Sequence, residues 1–196
     1  MKWTIAYWPM PDLAFTKNMV TVFINIIKKE IEKMLTQKRT RIVAAFPGTG
    51  KSYYHNEHPD TTLDSDSSNF SWIMRDGEKI RNPDFPHNYI QHIKDNIGKY
   101  DFIFVSSHSE VRNALKDNCI FFYLVYPEYN CKDMYLLRYE QRGNTPEFIK
   151  LIDENWECWL RQCDSETYGC KQVSLSSNWN IEDMVSHTIC SENGDM

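Results

Sequence analysis

From Thr16 to about Gln37, the apolar residues Met19, Val20, Phe23, Ile26, Ile27, Ile31, Met34 and Leu35 fall three and four positions apart. That spacing is one face of an amphipathic helix, suited to packing on a core or on a second copy of the chain. The fourteen residues before it set Trp3, Tyr7 and Trp8 among Pro9 and Pro11 and read as an irregular or strand-like arm. The rhythm then changes. An apolar run at Ile42–Phe46, a buried strand over Asp101–Val105 and an almost unbroken apolar run at Cys119–Tyr126 have the form of buried strands, with shorter strands at Thr61–Leu63 and Gln172–Leu175.

Between those runs the period returns to that of helices. A short one follows Ser52 and is cut off by Pro59. Others run from about Pro86 through Ile90, Ile93 and Ile97, from Glu110 to Lys116, and from Cys131 to Gln141. Thr145-Pro146 opens a helix whose apolar face is Phe148, Ile149, Ile152, Trp156, Trp159 and Leu160, and Ile181–Ile189 closes the chain before a polar tail over 191–196. Strand and helix in alternation predict an α/β domain with a parallel sheet. The expected division is an arm and helix over 1–39, one domain over 40–190 and the tail. Within the domain, 69–99 is an insertion and 131–145 a lid.

Chemistry concentrates where the first buried strand ends. Ala45-Phe46-Pro47-Gly48-Thr49-Gly50-Lys51-Ser52 is the strand, turn and helix start of a phosphate-binding P-loop, with Ala45 where the pattern has its first glycine. A methyl group there is small enough to leave the loop intact. Gly48 and Gly50 let backbone N–H groups close around phosphate oxygens at a helix N-terminus. Lys51 would reach the β- and γ-phosphates of ATP, and the Ser52 hydroxyl would serve Mg²⁺. Pro47, Gly48, Thr49, Gly50, Lys51, Ser52 and Tyr53 are the candidate nucleotide contacts.

Asp64 and Asp66 leave the second strand two residues apart, pointing to one side of the chain. With that strand beside the P-loop strand, both carboxylates would face the crevice next to the phosphates. The alternative is a polar turn that caps a helix. In the insertion, Trp72 and Phe85 could stack on a base while Arg75 and Arg81 pair with phosphate, although core packing explains the two aromatic residues equally well. The strand at 101–105 ends without the acidic residue that usually holds Mg²⁺, so the metal would rely on Ser52 and on Asp64 through water, with Ser106 or Ser107 behind them. Arg138 and Arg142, at i and i+4, share a helix face and would close as a lid over the transferring phosphoryl group, unless they pair with Glu140, Glu147 or solvent.

Composition changes this picture little. Hydrophobic residues are 41% and charged residues 25% of 196, so a single packed domain is affordable without staples, and the net charge of −5 supplies no global pull toward nucleic acid. Six cysteines without a C-x-x-C pair read as reduced cytosolic thiols, and Cys158, Cys163 and His187 match no zinc spacing. His55 and His58 read as a solvated pair. Met19–Ile27 is too short and polar to span a bilayer, and the N-terminus lacks the form of a signal peptide.

Taken together, residues 40–190 resemble the P-loop kinase superfamily in its adenylate-kinase-like branch. That resemblance implies a three-layer sandwich on a five-stranded parallel sheet ordered 2-3-1-4-5, with an acceptor insertion and an arginine lid. Asp64-x-Asp66 is similar to the shikimate and gluconate kinases, which implies a magnesium-shell role for Asp64 and a hydroxyl-orienting role for Asp66. The string Asp64-Ser65-Asp66-Ser67-Ser68-Asn69-Phe70-Ser71-Trp72, with Arg138-x-x-x-Arg142-Gly143-Asn144, also resembles small phage and viral P-loop kinases, among them the 5-hydroxymethyluracil DNA kinases. The expected activity is therefore ATP- and Mg²⁺-dependent transfer to a hydroxyl on a nucleotide or a modified base in DNA, in the cytoplasm. A nucleoside monophosphate kinase and a slowly hydrolysing ATP-binding switch are the alternatives.

Overall fold

The computed structural model describes residues 19–29 and 39–193, the last helix by its backbone alone beyond His187. The chain divides into two compact units, Met1–Gln37 and Lys38–Met196. In the first, residues 19–29 form a helix, α1. The aromatic arm and the remainder of the helix expected up to Gln37 lie outside the described residues.

The second unit is built on five parallel strands. β1 (Arg41–Ala45) is central, between β5 (Phe102–Ser106) and β6 (Phe122–Pro127). β2 (Thr62–Asp64) lies outside β5, and β7 (Cys170–Leu175) outside β6. The order is thus β2-β5-β1-β6-β7. The missing numbers belong to β3 (Trp72–Arg75) and β4 (Glu78–Arg81), which form a separate antiparallel pair, so the sheet strands counted alone in chain order stand 2-3-1-4-5.

One sequence expectation needs correction here. β2 does not lie beside β1, because β5 comes between them, with Asp64 opposite Phe104 and Ala45 opposite Ser106. β5 is buried from Phe102 to Val105 and suits an interior position, whereas β2 is three residues long, half-buried at Leu63 and Asp64, and suits an edge. The insertion also contains a hairpin that the sequence reading does not include. Asp76 and Gly77 both have positive φ, 52° and 84°, which is the two-residue turn whose twist joins antiparallel strands.

Alternate residues of each strand face opposite sides of the sheet and so feed two cores. Val43, Ala45, Phe104 and Val125 pack with Tyr54 of α2 (Lys51–Glu57) and with Ile181, Met184 and Val185 of α8 (Ile181–Asn193). On the other side Ile42, Ala44, Ile103 and Leu124 meet four helices: α4 (His87–Asn96), α5 (Ser109–Asp117), α6 (Lys132–Gln141) and α7 (Pro146–Asp164). A single turn, α3 (Ser68–Ser71), connects β2 to the hairpin. The layers are therefore helix, sheet and helix. α7 starts as its sequence predicts, with the Thr145 hydroxyl accepting from the Phe148 N–H at 3.3 Å and Pro146 in the first turn. α8 stays helical to Asn193, into the stretch read as a tail. Among the described residues no helix is long and apolar enough to cross a membrane.

Trp156 is the largest fully buried side chain of the four-helix side. Its ring meets Phe46 edge-on at 5.6 Å and Tyr135 at 5.5 Å, and its indole N–H donates to the Tyr129 carbonyl at 2.9 Å. Trp156→Ala should cost about 3–5 kcal/mol through the cavity it leaves. Trp156→Phe, which keeps most of the volume and loses the donor, should cost about 1–2 kcal/mol. Equilibrium urea unfolding measures both, and equal losses would show that the hydrogen bond rather than the volume matters.

Candidate functional site

All five sheet strands run the same way, so the loops after β1, β2 and β5 emerge together at one edge, where open α/β sheets bind their ligands. The loop after β1 is held from three directions. Thr49, fully buried, donates its hydroxyl to the Phe46 carbonyl at 2.8 Å, and its own carbonyl accepts from the Ile181 N–H at the start of α8. From α6, Tyr139 donates its hydroxyl to the Pro47 carbonyl and Arg138 Nη1 donates to the Gly48 carbonyl, both at 2.7 Å. The turn needs glycine for two reasons. Gly48 and Gly50 have φ of 81° and 103°, and a Cβ at position 48 would lie 2.9 Å from the ring of Tyr139.

Lys51 folds back over this turn and donates from Nζ to the Ala45 and Phe46 carbonyls at 2.7 and 3.1 Å. Burial pushes its ammonium down to about 8, against the raising effect of Asp64 and Asp66, and Arg142 adds a further lowering. The Ser52 hydroxyl donates to Asp64 Oδ2 at 2.5 Å, bridging α2 and β2 across the intervening β5. A serine hydroxyl and a carboxylate side by side are hard oxygen donors of the kind Mg²⁺ takes. Asp66 Oδ1 accepts from the Ser68 N–H at 2.8 Å, so the turn-capping duty considered from sequence is also present.

Two cavities meet here. One, of about 420 Å³, is lined by Pro47, Gly48, Lys51, Ser52, Asp64 and Asp66, together with Arg142, Asn144 and Phe148. The other, of about 460 Å³, is lined by Trp72, Arg81 and Phe85 and by Arg112, Trp159 and Gln162. Pro47, Asp66 and His108 line both.

The residues singled out from sequence distribute unevenly over this geometry. Lys51, Ser52, Asp64, Asp66 and Arg142 converge on the first cavity, and Trp72, Arg81 and Phe85 on the second. Arg75 lines neither; it sits exposed opposite Glu78, next to the hairpin turn. Tyr53 is exposed and lines neither. Arg138 does not point with Arg142 but is engaged with the Gly48 carbonyl and stacked over the Tyr135 ring at 4.6 Å. Arg81 forms an ion pair with Glu110 and lies over the Phe85 ring at 4.5 Å. Among the described residues no three His, Cys, Asp or Glu side chains gather as a metal site, and Cys163 is buried in the core while Cys158 is exposed.

Sequence reasoning passed over His108, Arg112 and Tyr139. His108 follows a buried strand at the ligand-binding edge, which is a usable signal. Its imidazole is held below its ordinary range, mainly by burial and then by Lys51, with Asp66 acting the other way. Arg112 is buried. Its Nε donates to Glu166 Oε1 at 2.8 Å, and Glu166 Oε2 accepts from Lys116 at 2.6 Å. No protein-family model matches this chain, and no curated protein matches it significantly, so the geometry carries the functional argument alone.

Two stability measurements follow from these contacts. A Cβ at position 50 meets nothing closer than 3.9 Å, so Gly50→Ala should cost only the left-handed backbone term of about 1–2 kcal/mol. Gly48→Ala adds the collision with Tyr139 and should unfold at distinctly lower urea; equal midpoints would mean that α6 does not press on the turn. For Glu166, burial alone would raise the pKa, but the hydrogen bonds from Lys116 and Arg112 outweigh it and hold the carboxyl below its ordinary value. Its stabilising effect is therefore complete above the ordinary value of 4.5 and lost as pH falls through the lowered one. The stability difference between wild type and Glu166→Gln should be constant near neutrality and shrink below pH 4.5 in thermal melts.

Proposed function

We propose that this chain is a P-loop phosphotransferase that moves the γ-phosphoryl group of ATP to a hydroxyl acceptor, on a nucleotide or on a hydroxymethyl-bearing base in DNA. The observation that carries this reading is the position of Asp66, a carboxylate lining both the cavity with Lys51 and the cavity with Trp72 and Phe85. A group shared by two adjoining cavities is where an acceptor in one would meet a phosphoryl donor in the other.

In this scheme the turn from Pro47 to Gly50 cradles the phosphates and Lys51 exchanges its bonds to the Ala45 and Phe46 carbonyls for phosphate oxygens. Ser52 and Asp64 would hold Mg²⁺, which neutralises charge on the β- and γ-phosphates when bound. Asp66 accepts the proton of the acceptor hydroxyl, whose oxygen forms a bond to the γ-phosphorus as the bond to the β-bridging oxygen breaks and ADP leaves. Arg142, which lines the same cavity, offsets the charge on the transferring group.

The second cavity favours a neutral acceptor over a phosphate. Its charged lining residues are Asp66, Glu110, Arg81 and Arg112, two of each sign, and Arg81 and Arg112 each have a carboxylate partner. A nucleoside monophosphate kinase would need arginine charge left over for the acceptor phosphate.

The experiment is transfer of labelled γ-phosphate from ATP with Mg²⁺ to nucleoside monophosphates, plain DNA, DNA containing 5-hydroxymethyluracil, and polyols. Label on a hydroxyl acceptor is expected, and Lys51→Ala and Asp66→Asn should each lower it by about a hundredfold or more. Both variants within about threefold of wild type would sink the assignment, since the loss of transition-state electrostatics cannot be that small. ATP binding with no transfer to any acceptor would indicate a nucleotide-binding switch instead.

A further inference from the structure

Of the residues that line both cavities, Asp66 has a role in the scheme above and His108 has none. His108 occupies the N-cap position of α5, two residues beyond Ser106 at the end of β5. Its backbone is gripped on both sides by one residue. The Arg112 N–H donates to the His108 carbonyl at 3.0 Å, the ordinary first bond of a helix, and Arg112 Nη1 donates to the Ser107 carbonyl. The second bond is not ordinary. It brings a guanidinium that is 4% exposed back onto the loop, and the Glu166 carboxylate, itself bonded to Lys116, fixes it there.

Burying an arginine, a glutamate and a lysine together is a poor source of stability, because the desolvation cost is comparable to the attraction gained. What such a network does supply is a fixed direction, since the guanidinium fork bonds the loop with one nitrogen and its anchor with another. The loop so fixed carries His108, which lines both cavities.

Resting on the phosphotransferase reading, we infer that His108 is a further catalytic residue in contact with the acceptor hydroxyl, and that Arg112, locked by Glu166, is the positioning residue that sets it there. The imidazole has a donor nitrogen to offer. The hydroxyl oxygen accepts from that N–H through one lone pair, gives its proton to Asp66, and keeps its second lone pair for the γ-phosphorus. No further reactant is required, and the histidine ends the step in the protonation state in which it began.

A double-mutant cycle on phosphoryl transfer tests this. His108→Ala and Arg112→Met should each lower kcat by about 10–100-fold, below the loss expected for Asp66 because neither removes the proton acceptor. The double variant should be no slower than His108→Ala alone, because a residue that acts through another adds nothing once that other is gone. Arg112→Lys should recover part of the Arg112→Met loss, and KM for ATP should stay within about twofold of wild type throughout, since the effect belongs to the acceptor side. Thermal melting verifies that each variant is folded; should Arg112→Met fail, Glu166→Gln takes its place in the cycle. Multiplying losses in the double variant, or a wild-type rate for His108→Ala, would overturn the inference while leaving the kinase reading intact. A wild-type protein that transfers to no acceptor would end both, and that result is visible before any variant is made.

Discussion

The absence of a side chain at position 48 lets α6 press against the loop that follows the central strand, and the rest of the site depends on that contact. Tyr139 and Arg138 reach the Pro47 and Gly48 carbonyls only because the loop backbone comes directly under the rings of Tyr135 and Tyr139. With those carbonyls tied to α6, and the Thr49 carbonyl tied to the first residue of α8, the turn is held between the two helical layers rather than projecting from the sheet. Its shape is thus set before any ligand arrives. A preorganised backbone is what a phosphate cradle requires, because its donors must not need reorientation as charge develops.

Much of this arrangement could be read from local pattern. The apolar runs gave β1, β5 and β6, the 3.6-residue period gave α4 to α7, and the Gly-Thr-Gly-Lys-Ser string located the turn. The β3–β4 hairpin was missed although its signal was present. Asp76-Gly77 between Trp72-Ile73-Met74 and Lys79-Ile80 is the pairing that turns with positive φ at both positions prefer, but the flanking apolar runs are too short to mark strands by themselves. The placement of β2 was harder. Which strand sits next to which is a non-local property, and three residues of β2 do not carry enough apolar surface to announce that they lie at an edge.

The side chains divide in the same way. Spacing put Asp64 and Asp66 on one side of the chain, and both line one cavity, but spacing says nothing about reach: Arg138 lies within α6 whereas Arg142 is the residue that caps its end. Arg138 is taken up by the Gly48 carbonyl and the Tyr135 ring, and Arg142, one turn further on, lines the cavity beyond it. One arginine is bonded to the loop and the other lines the cavity beside it. Arg112 shows the limit more plainly. Its partners Ser107 and Glu166 lie 5 and 54 residues away, and only the packing of α5 against the segment after α7 brings them together.

Charge follows from these positions. Lys51, buried beside two carboxylates and near Arg142, is held to about 8, and its ammonium is bonded to the backbone carbonyls of Ala45 and Phe46. In the neighbouring cavity the cations have acidic partners instead: Arg81 and Arg112 are already satisfied by Glu110 and Glu166. In the proposed reaction the nucleotide takes the first cavity, where the glycine turn offers N–H groups, and the acceptor takes the second, against Trp72 and Phe85. The asymmetry orders the two cavities with Asp66 between them, and it does so through partners fixed by the fold rather than through net charge.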